Sequence, residues 1–128
     1  MHRRFKRPLW WMLLSSTMLL SGCSLGQVPA ATPAKGPYQV VHVVARNFQW
    51  QMSNTNLKAG ENVKFIVTSI QGVHGFSIEG TAIASAVSEG QAPVVVYWND
   101  PTKGTYVVRC NVYCGTGHDS MTKTFTVS

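Results

Sequence analysis

The sequence has no basic pattern of the kind that binds nucleic acid, although its formal net charge is +6. Four of its basic residues, Arg3, Arg4, Lys6 and Arg7, lie at the extreme N-terminus. The remainder of the chain has seven Lys and Arg against five Asp and Glu. This is the balance of one ordinary soluble domain, because no basic stripe remains to contact phosphates. The composition therefore excludes a nucleic-acid partner.

The sequence also lacks an apolar run long enough to span a membrane. The stretch Leu9–Leu20 is interrupted by hydroxyl residues at 15–17, and a transmembrane helix needs about 20 apolar residues. It follows a basic start and precedes small residues, which is the order of a secretory signal peptide. Leu20-Ser21-Gly22-Cys23 resembles the bacterial lipobox, whose Cys becomes the first mature residue and carries lipid.

We therefore expect residues 1–22 to be a lipoprotein signal peptide and Cys23 to be lipidated. Residues 23–37 are rich in Gln, Pro, Ala, Thr and Gly without apolar periodicity, which predicts a flexible tether. The protein would be exported and held by lipid on a bacterial membrane, facing the periplasm or the cell exterior.

Helical periodicity is absent from residues 38–128. Short stretches rich in Val, Ile, Phe and Thr recur there, separated by turn signals. This spacing predicts an all-β sandwich. The predicted strands are 38–45, 48–52, 63–70, 73–78, 82–87, 94–98, 105–110 and 122–127.

Cysteine is scarce. With Cys23 assigned to lipid, the remaining thiols are Cys110 and Cys114. A lone pair in an exported protein is ordinarily a disulfide, and we expect one in a metal-free form in an oxidising compartment. A disulfide does not explain why His118 and Met121 follow so closely. Thiolate, imidazole and thioether together form the ligand set that selects copper.

His74 completes this set, because loops of a β-sandwich cluster at its two ends and can bring distant residues together. His42 lies within a predicted strand and is interpreted as an ordinary half-exposed histidine. Two thiolates, two imidazoles and a thioether exceed the needs of a mononuclear blue-copper site. They match a binuclear site in which two sulfurs bridge two copper ions. Since the protein fills the coordination positions, no site is open for substrate. The pattern predicts electron transfer without catalytic residues.

The chain resembles the copper-A domain of cytochrome c oxidase subunit II. The resemblance runs from about Leu57 to Val127, and Val73–Thr81 is most similar to the ba-type oxidase branch. The motifs that carry it are Lys58-Ala59-Gly60, Val63-Lys64-Phe65, Thr68-Ser69, Val73-His74-Gly75-Phe76, Gly104-Thr105-Tyr106 and Cys110–Met121.

The resemblance implies a cupredoxin-type Greek-key β-sandwich over residues 38–128 and two copper ions. Cys110 and Cys114 would bridge both ions. One ion would also be bound by His74 and Met121, and the other by His118 and the backbone carbonyl of Val112. The family implies a cytochrome c-like electron donor. The protein would be either the subunit II of a terminal oxidase, with a haem-copper subunit I as its partner, or a free-standing electron carrier.

The chain departs from the family pattern in three respects. Val112 stands where most members have a Glu that also binds magnesium, so no magnesium is expected. The family's transmembrane helices are replaced by the predicted lipoprotein signal. In the best register Phe48 occupies the position of the Trp that receives electrons, and Trp50 is either a core aromatic or an alternative receiver of electrons.

Two other functions remain open from the residues alone. One is a periplasmic copper chaperone or storage lipoprotein, although no Met-rich tract supports it. The other is a binding module without metal, closed by a Cys110–Cys114 disulfide.

Overall fold

The computed structural model describes residues 33–128, which form a two-sheet sandwich of nine strands. The predicted signal peptide, Cys23 and the greater part of the predicted tether lie outside the described residues. The strands are β1 (Gln39–Arg46), β2 (Gln49–Met52), β3 (Asn56–Leu57), β4 (Val63–Ser69), β5 (Val73–Ile78), β6 (Ala84–Ser88), β7 (Val94–Trp98), β8 (Gly104–Cys110) and β9 (Thr122–Val127).

Four strands form one sheet in the order β2-β1-β4-β7, and five form the other in the order β3-β9-β8-β5-β6. Neighbouring strands are antiparallel, except that β1 pairs with β4, and β3 with β9, in parallel. The predicted all-β sandwich is therefore confirmed. Within residues 33–128, no helix has the length and apolar character of a membrane span.

The core lies between the sheets, because alternate residues of each strand point inward. In β4, Val63, Phe65 and Val67 are buried. The residues between them, such as Lys64, are only partly buried. Rings from both sheets meet in the middle of the sandwich. The Phe65 ring centroid lies 5.3 Å from that of Phe76 and 6.4 Å from that of Phe125.

Trp50 extends this aromatic core towards one end of the sandwich. Its side chain is 3% exposed, and its ring centroid lies 5.7 Å from Phe76 and 6.1 Å from His74. The core is thus continuous with the surroundings of the predicted ligand His74. We call this end of the sandwich the ligand end.

The structure adds two elements that the sequence pattern did not predict. Strand β3 has only two residues and pairs with the end of β9, so it is too short to show a period. A single turn of 3₁₀ helix covers His118–Ser120, in the connection between β8 and β9. Phe48, predicted to begin a strand, lies in the turn before β2.

Candidate metal centre

Two neighbouring strands of the five-stranded sheet bring the predicted ligands together. Strand β5 begins at Val73 and β8 ends at Cys110, and the two strands are antiparallel with Phe76 opposite Cys110. His74 therefore lies beside the point where the chain leaves β8. The connection from Asn111 to Met121, which we call the ligand segment, then crosses the ligand end of the sandwich before β9.

The two thiols are close but not bonded. Their Sγ atoms lie 3.5 Å apart, and both cysteines are free. A disulfide would bring the sulfurs to about 2.05 Å. Cys110 is 1% exposed, whereas Cys114 is partly exposed. The pair therefore places two sulfur atoms next to each other without a bond between them.

His74 is completely buried and presents one ring nitrogen to these sulfurs. Its Nε2 atom lies 2.7 Å from the Gln71 carbonyl oxygen. A carbonyl can only accept a hydrogen bond, so Nε2 carries the hydrogen and Nδ1 has a lone pair. Nδ1 is buried without a hydrogen-bond partner. The ligand atoms of His74, Cys110 and Cys114 lie within 4.8 Å of one another. A metal ion would satisfy this orphaned nitrogen.

His118 and Met121 approach Cys114 from the other part of the ligand segment. His118 Nδ1 lies 3.7 Å from Cys114 Sγ, and Met121 Sδ lies 3.9 Å from the same sulfur. Met121 is completely buried, whereas His118 is partly exposed. The 3₁₀ turn at His118–Ser120 sets this spacing, because the Met121 N–H donates to the His118 carbonyl.

The Val112 carbonyl also faces the sulfurs. Its oxygen lies 3.0 Å from Cys110 Sγ, while the valine side chain is 36% exposed. The structure thus gathers all six sequence-predicted metal residues at the ligand end. His42 is exposed on β1 and is not part of this group.

Gly75 allows the ligand segment to lie directly against β5. Its N–H donates to Cys110 Sγ at 3.4 Å, and its carbonyl accepts from the Asn111 N–H at 3.0 Å. A Cβ atom at Gly75 would lie 2.0 Å from Asn111 Oδ1 and 2.7 Å from the Val112 nitrogen. A larger residue would displace the backbone that carries the ligands.

The two aromatic candidates for receiving electrons occupy different environments. Phe48 is partly exposed and packs on the ligand segment, since a Cβ at Gly117 would lie 2.2 Å from Cδ2 of its ring. Trp50 is buried, and its indole N–H donates to the Met121 carbonyl at 3.3 Å. Trp50 is therefore a core residue that contacts the ligand segment from inside the sandwich.

The protein alone favours a neutral thiol at Cys114. Burial raises the pKa of Cys114 from its ordinary value of 9.0 to about 11, and the hydrogen bond and charge of Cys110 act in the same direction. Two adjacent thiolates repel each other unless cations lie between them. The sulfur pair, the two Nδ1 atoms, the thioether and the carbonyl fit soft metal ions such as copper.

Sequence reasoning missed the residues that support the ligands. Gln71 holds His74 through a main-chain carbonyl, which any residue type could provide. Gly75 shows its role only through the close approach of two strands. The glycine between His74 and Phe76 was visible in the sequence, but its contact with the ligand segment was not.

The chain is similar in sequence to cytochrome oxidase subunits. No protein-family profile matches the chain. Cytochrome c oxidase subunit 2 of Thermus thermophilus is 37% identical over 105 residues, which cover 77% of this chain and 77% of that protein. A second subunit 2 sequence from the same species is also 37% identical, and the match covers 77% of this chain and 62% of that protein.

Solved structures show the same fold. The periplasmic domain of subunit II of cytochrome oxidase (CoxB) of Bradyrhizobium japonicum has a TM-score of 0.63 at 11% identity, covering 70% of this chain and 83% of that one. A chain of a heme-copper terminal oxidase dimer has a TM-score of 0.59 at 24% identity, covering 84% of this chain and 83% of that one. At these identities the structural matches establish the fold alone.

Proposed function

Because this chain belongs to the cytochrome c oxidase subunit II family, we propose that it transfers single electrons through a binuclear copper centre. The observation that carries the proposal is the pair of free sulfurs 3.5 Å apart, with His74 Nδ1 buried and unpartnered beside them. When bound, two copper ions sharing two thiolates supply a centre that gains and loses one electron.

The residues divide the ligand positions between two metal ions. Cys110 and Cys114 would be shared by both ions. His74 and Met121 would bind one ion, and His118 with the Val112 carbonyl would bind the other. All ligand positions come from the protein, so the site has no place for a substrate. Val112 offers no carboxylate, so the site holds no magnesium.

Burial supports electron transfer over copper delivery. His74 and Met121 are completely buried, and Cys110 is 1% exposed. A chaperone must release its metal to an acceptor, which requires exposed ligands that a second protein can reach. Here most of the sulfur and nitrogen ligands are covered, and this arrangement retains metal.

Phe48 is the position at which electrons enter. Its ring is partly exposed and lies against Gly117, one residue before His118. It also lines an open groove of about 590 Å³ between β2 and the start of β9. A cytochrome c-like donor touching Phe48 would come close to the centre. Trp50 remains the alternative, but its burial keeps it from direct contact with a donor.

The partner that receives electrons is a haem-copper oxidase subunit I. Val112 and Tyr113 are 36% and 77% exposed, and the Tyr113 ring centroid lies 5.6 Å from that of His118. Apolar side chains exposed beside a metal ligand suit a protein contact. We place the exit of electrons at this surface.

The predicted lipid on Cys23 would hold the domain at the membrane, on the periplasmic or outer side, through the tether. Purification of the full chain from detergent-solubilised membranes tests the partner. We expect a haem-copper subunit I to co-purify. Its absence, together with reduction of the chain by a cytochrome c-like donor, would indicate a free-standing carrier instead.

The function itself is tested by mixing copper-loaded protein with a reduced cytochrome c-like donor and following both absorption spectra. We expect one electron to be taken up per centre. A loaded protein that delivers copper to an acceptor but accepts no electron would refute the proposal and favour the chaperone.

A further inference from the structure

The connection between β4 and β5 forms a hydrogen bond with the His74 ring. We call residues 69–72 the support turn, because its Gln71 carbonyl accepts the hydrogen bond from His74 Nε2 at 2.7 Å. This contact fixes which ring nitrogen carries the hydrogen, and so which one is free for metal. The position of one carbonyl oxygen therefore determines how His74 is presented.

Ser69 ties the support turn together from inside. Its side chain is buried, at 8% exposure. The Ser69 hydroxyl donates to the Gly72 carbonyl at 2.8 Å and accepts from the Gln71 N–H at 3.4 Å. A single buried hydroxyl thus fixes the peptide groups on both sides of the Gln71 carbonyl.

Glu89, the residue that follows strand β6, holds the same turn from outside. Its carboxylate accepts from the Gly72 N–H at 3.0 Å, and its own N–H donates to the Gly72 carbonyl at 2.9 Å. Gly72 has a φ of +75°, in the region that favours glycine. Both main-chain groups of this unusual residue are therefore bonded to Glu89, and one of these bonds is assisted by charge.

We infer that Ser69 and Glu89 are positioning residues for the metal ligand His74. They fix the support turn so that the Gln71 carbonyl faces Nε2, and this leaves Nδ1 bare and directed at the sulfurs. Loss of the direct hydrogen-bond partner of a ligating histidine commonly changes metal affinity by about 10–100-fold, and Ser69 and Glu89 act on His74 through that partner, the Gln71 carbonyl. The inference rests on the proposed copper centre, but its geometric part concerns the protein alone.

The geometric part is tested on the reduced, metal-free protein by long-range ¹H–¹⁵N correlation of the histidine rings. Glu89→Ala is compared with Glu89→Gln, whose amide oxygen can still accept from Gly72. Glu61→Ala is the matched control, because Glu61 lies at the opposite end of β4, where its carboxylate pairs with Lys58. We expect wild type, Glu89→Gln and Glu61→Ala to show a single His74 tautomer with hydrogen on Nε2.

Glu89→Ala should show mixed tautomers or rapid exchange of the ring hydrogen. Ser69→Ala should behave in the same way if it folds, and the two Glu89 variants decide the matter if it does not. A Glu89→Ala protein with the wild-type His74 signal would overturn the inference. This outcome does not depend on whether copper binds.

The second readout is the release of copper from loaded protein to a strong chelator. We expect release from Glu89→Ala to be at least about 10-fold faster than from wild type, while Glu89→Gln and Glu61→Ala stay close to wild type. Equal rates in all four proteins would refute the positioning role. A wild type that binds no copper would refute the proposed function, and the ring signals would still test the inference.

Discussion

The Nδ1 atom of His118 lies 3.7 Å from Cys114 Sγ, the sulfur that also lies 3.5 Å from Cys110 Sγ. Cys114 is thus the meeting point of the ligand segment, with an imidazole on one side and a thiol on the other. The same sulfur is 3.9 Å from Met121 Sδ. A substitution at any of these positions should have a distinct effect on the centre.

Met121→Leu should keep both copper ions and raise the reduction potential. A thioether is a weak ligand, and its loss removes electron donation that favours the oxidised state. If the substitution disfavours the oxidised state tenfold relative to the reduced state, the reduction potential rises by about 59 mV for one electron. Leucine has a similar volume, so we expect the substitution to lower the free energy of unfolding by less than about 1.5 kcal/mol. Potentiometry with metal analysis checks this, and loss of both ions would contradict the weak-ligand role.

Phe48→Leu should slow reduction by a cytochrome c-like donor and leave the absorption spectrum of the loaded centre unchanged. The ring is partly exposed and contacts the ligand segment, but it contributes no ligand atom. Trp50→Phe is the comparison, because it removes a buried indole hydrogen bond. We expect it to lower the free energy of unfolding by about 1–3 kcal/mol.

Stopped-flow reduction and thermal unfolding separate these two effects. If Trp50→Phe slows reduction as much as Phe48→Leu does, Trp50 rather than Phe48 is the residue through which electrons arrive.

Gly117→Ala should destabilise the protein by about 1–3 kcal/mol, because the new methyl group overlaps the Phe48 ring. Gly104→Ala is the matched control, since the atom nearest to its Cβ would be a ring carbon of Tyr106 at 3.4 Å, an ordinary contact distance. Denaturant unfolding of both variants measures the difference. Gly117→Ala should cost less in a Phe48→Ala background, which lacks the Cγ and Cδ2 atoms that lie 2.3 Å and 2.2 Å from the new methyl group. An equal cost in both backgrounds would argue against direct contact.

The metal-free, reduced protein should react slowly with alkylating agents at Cys114. Its pKa is raised from 9.0 to about 11, so at a given pH below 9 its thiolate fraction is about 100-fold lower than that of an ordinary thiol. The reaction should accelerate as pH rises through that range. The raised pKa also means that folding is favoured below pH 9 and loses this contribution as pH approaches 11.

Mass spectrometry of alkylated peptides over a pH series follows this directly. If Cys114 reacts near neutral pH as fast as a free cysteine, the protein does not raise the pKa of its thiol.

Much of the fold could be predicted from the sequence because the strands alternate in polarity. Val63, Phe65 and Val67 point to the core at every second position, and the strand β4 follows from that pattern alone. The two-residue β3 could not be found in this way, since two residues carry no period. It exists because Leu57 is buried where the chain passes the end of β9.

The candidate site was also predictable only in part. Cys110, Cys114, His118 and Met121 are close in sequence, so their spacing predicts a shared site. The supporting contacts join residues far apart in the chain and use main-chain atoms. These contacts can be recognised only once the fold places β4, β5, β6 and β8 together. They involve the Gln71 carbonyl, the Gly75 N–H and the support turn bonded to Glu89.

The most direct test of the account is the copper content and electron paramagnetic resonance spectrum of the loaded protein in its partly oxidised state. We predict two copper ions per chain and a hyperfine pattern from one electron shared by two copper nuclei. Cys110→Ser should lose this pattern, because one thiolate cannot bridge in the same way, whereas Thr105→Ser on the same strand should keep it. One copper ion per wild-type chain, or an electron localised on a single copper, would contradict the binuclear centre.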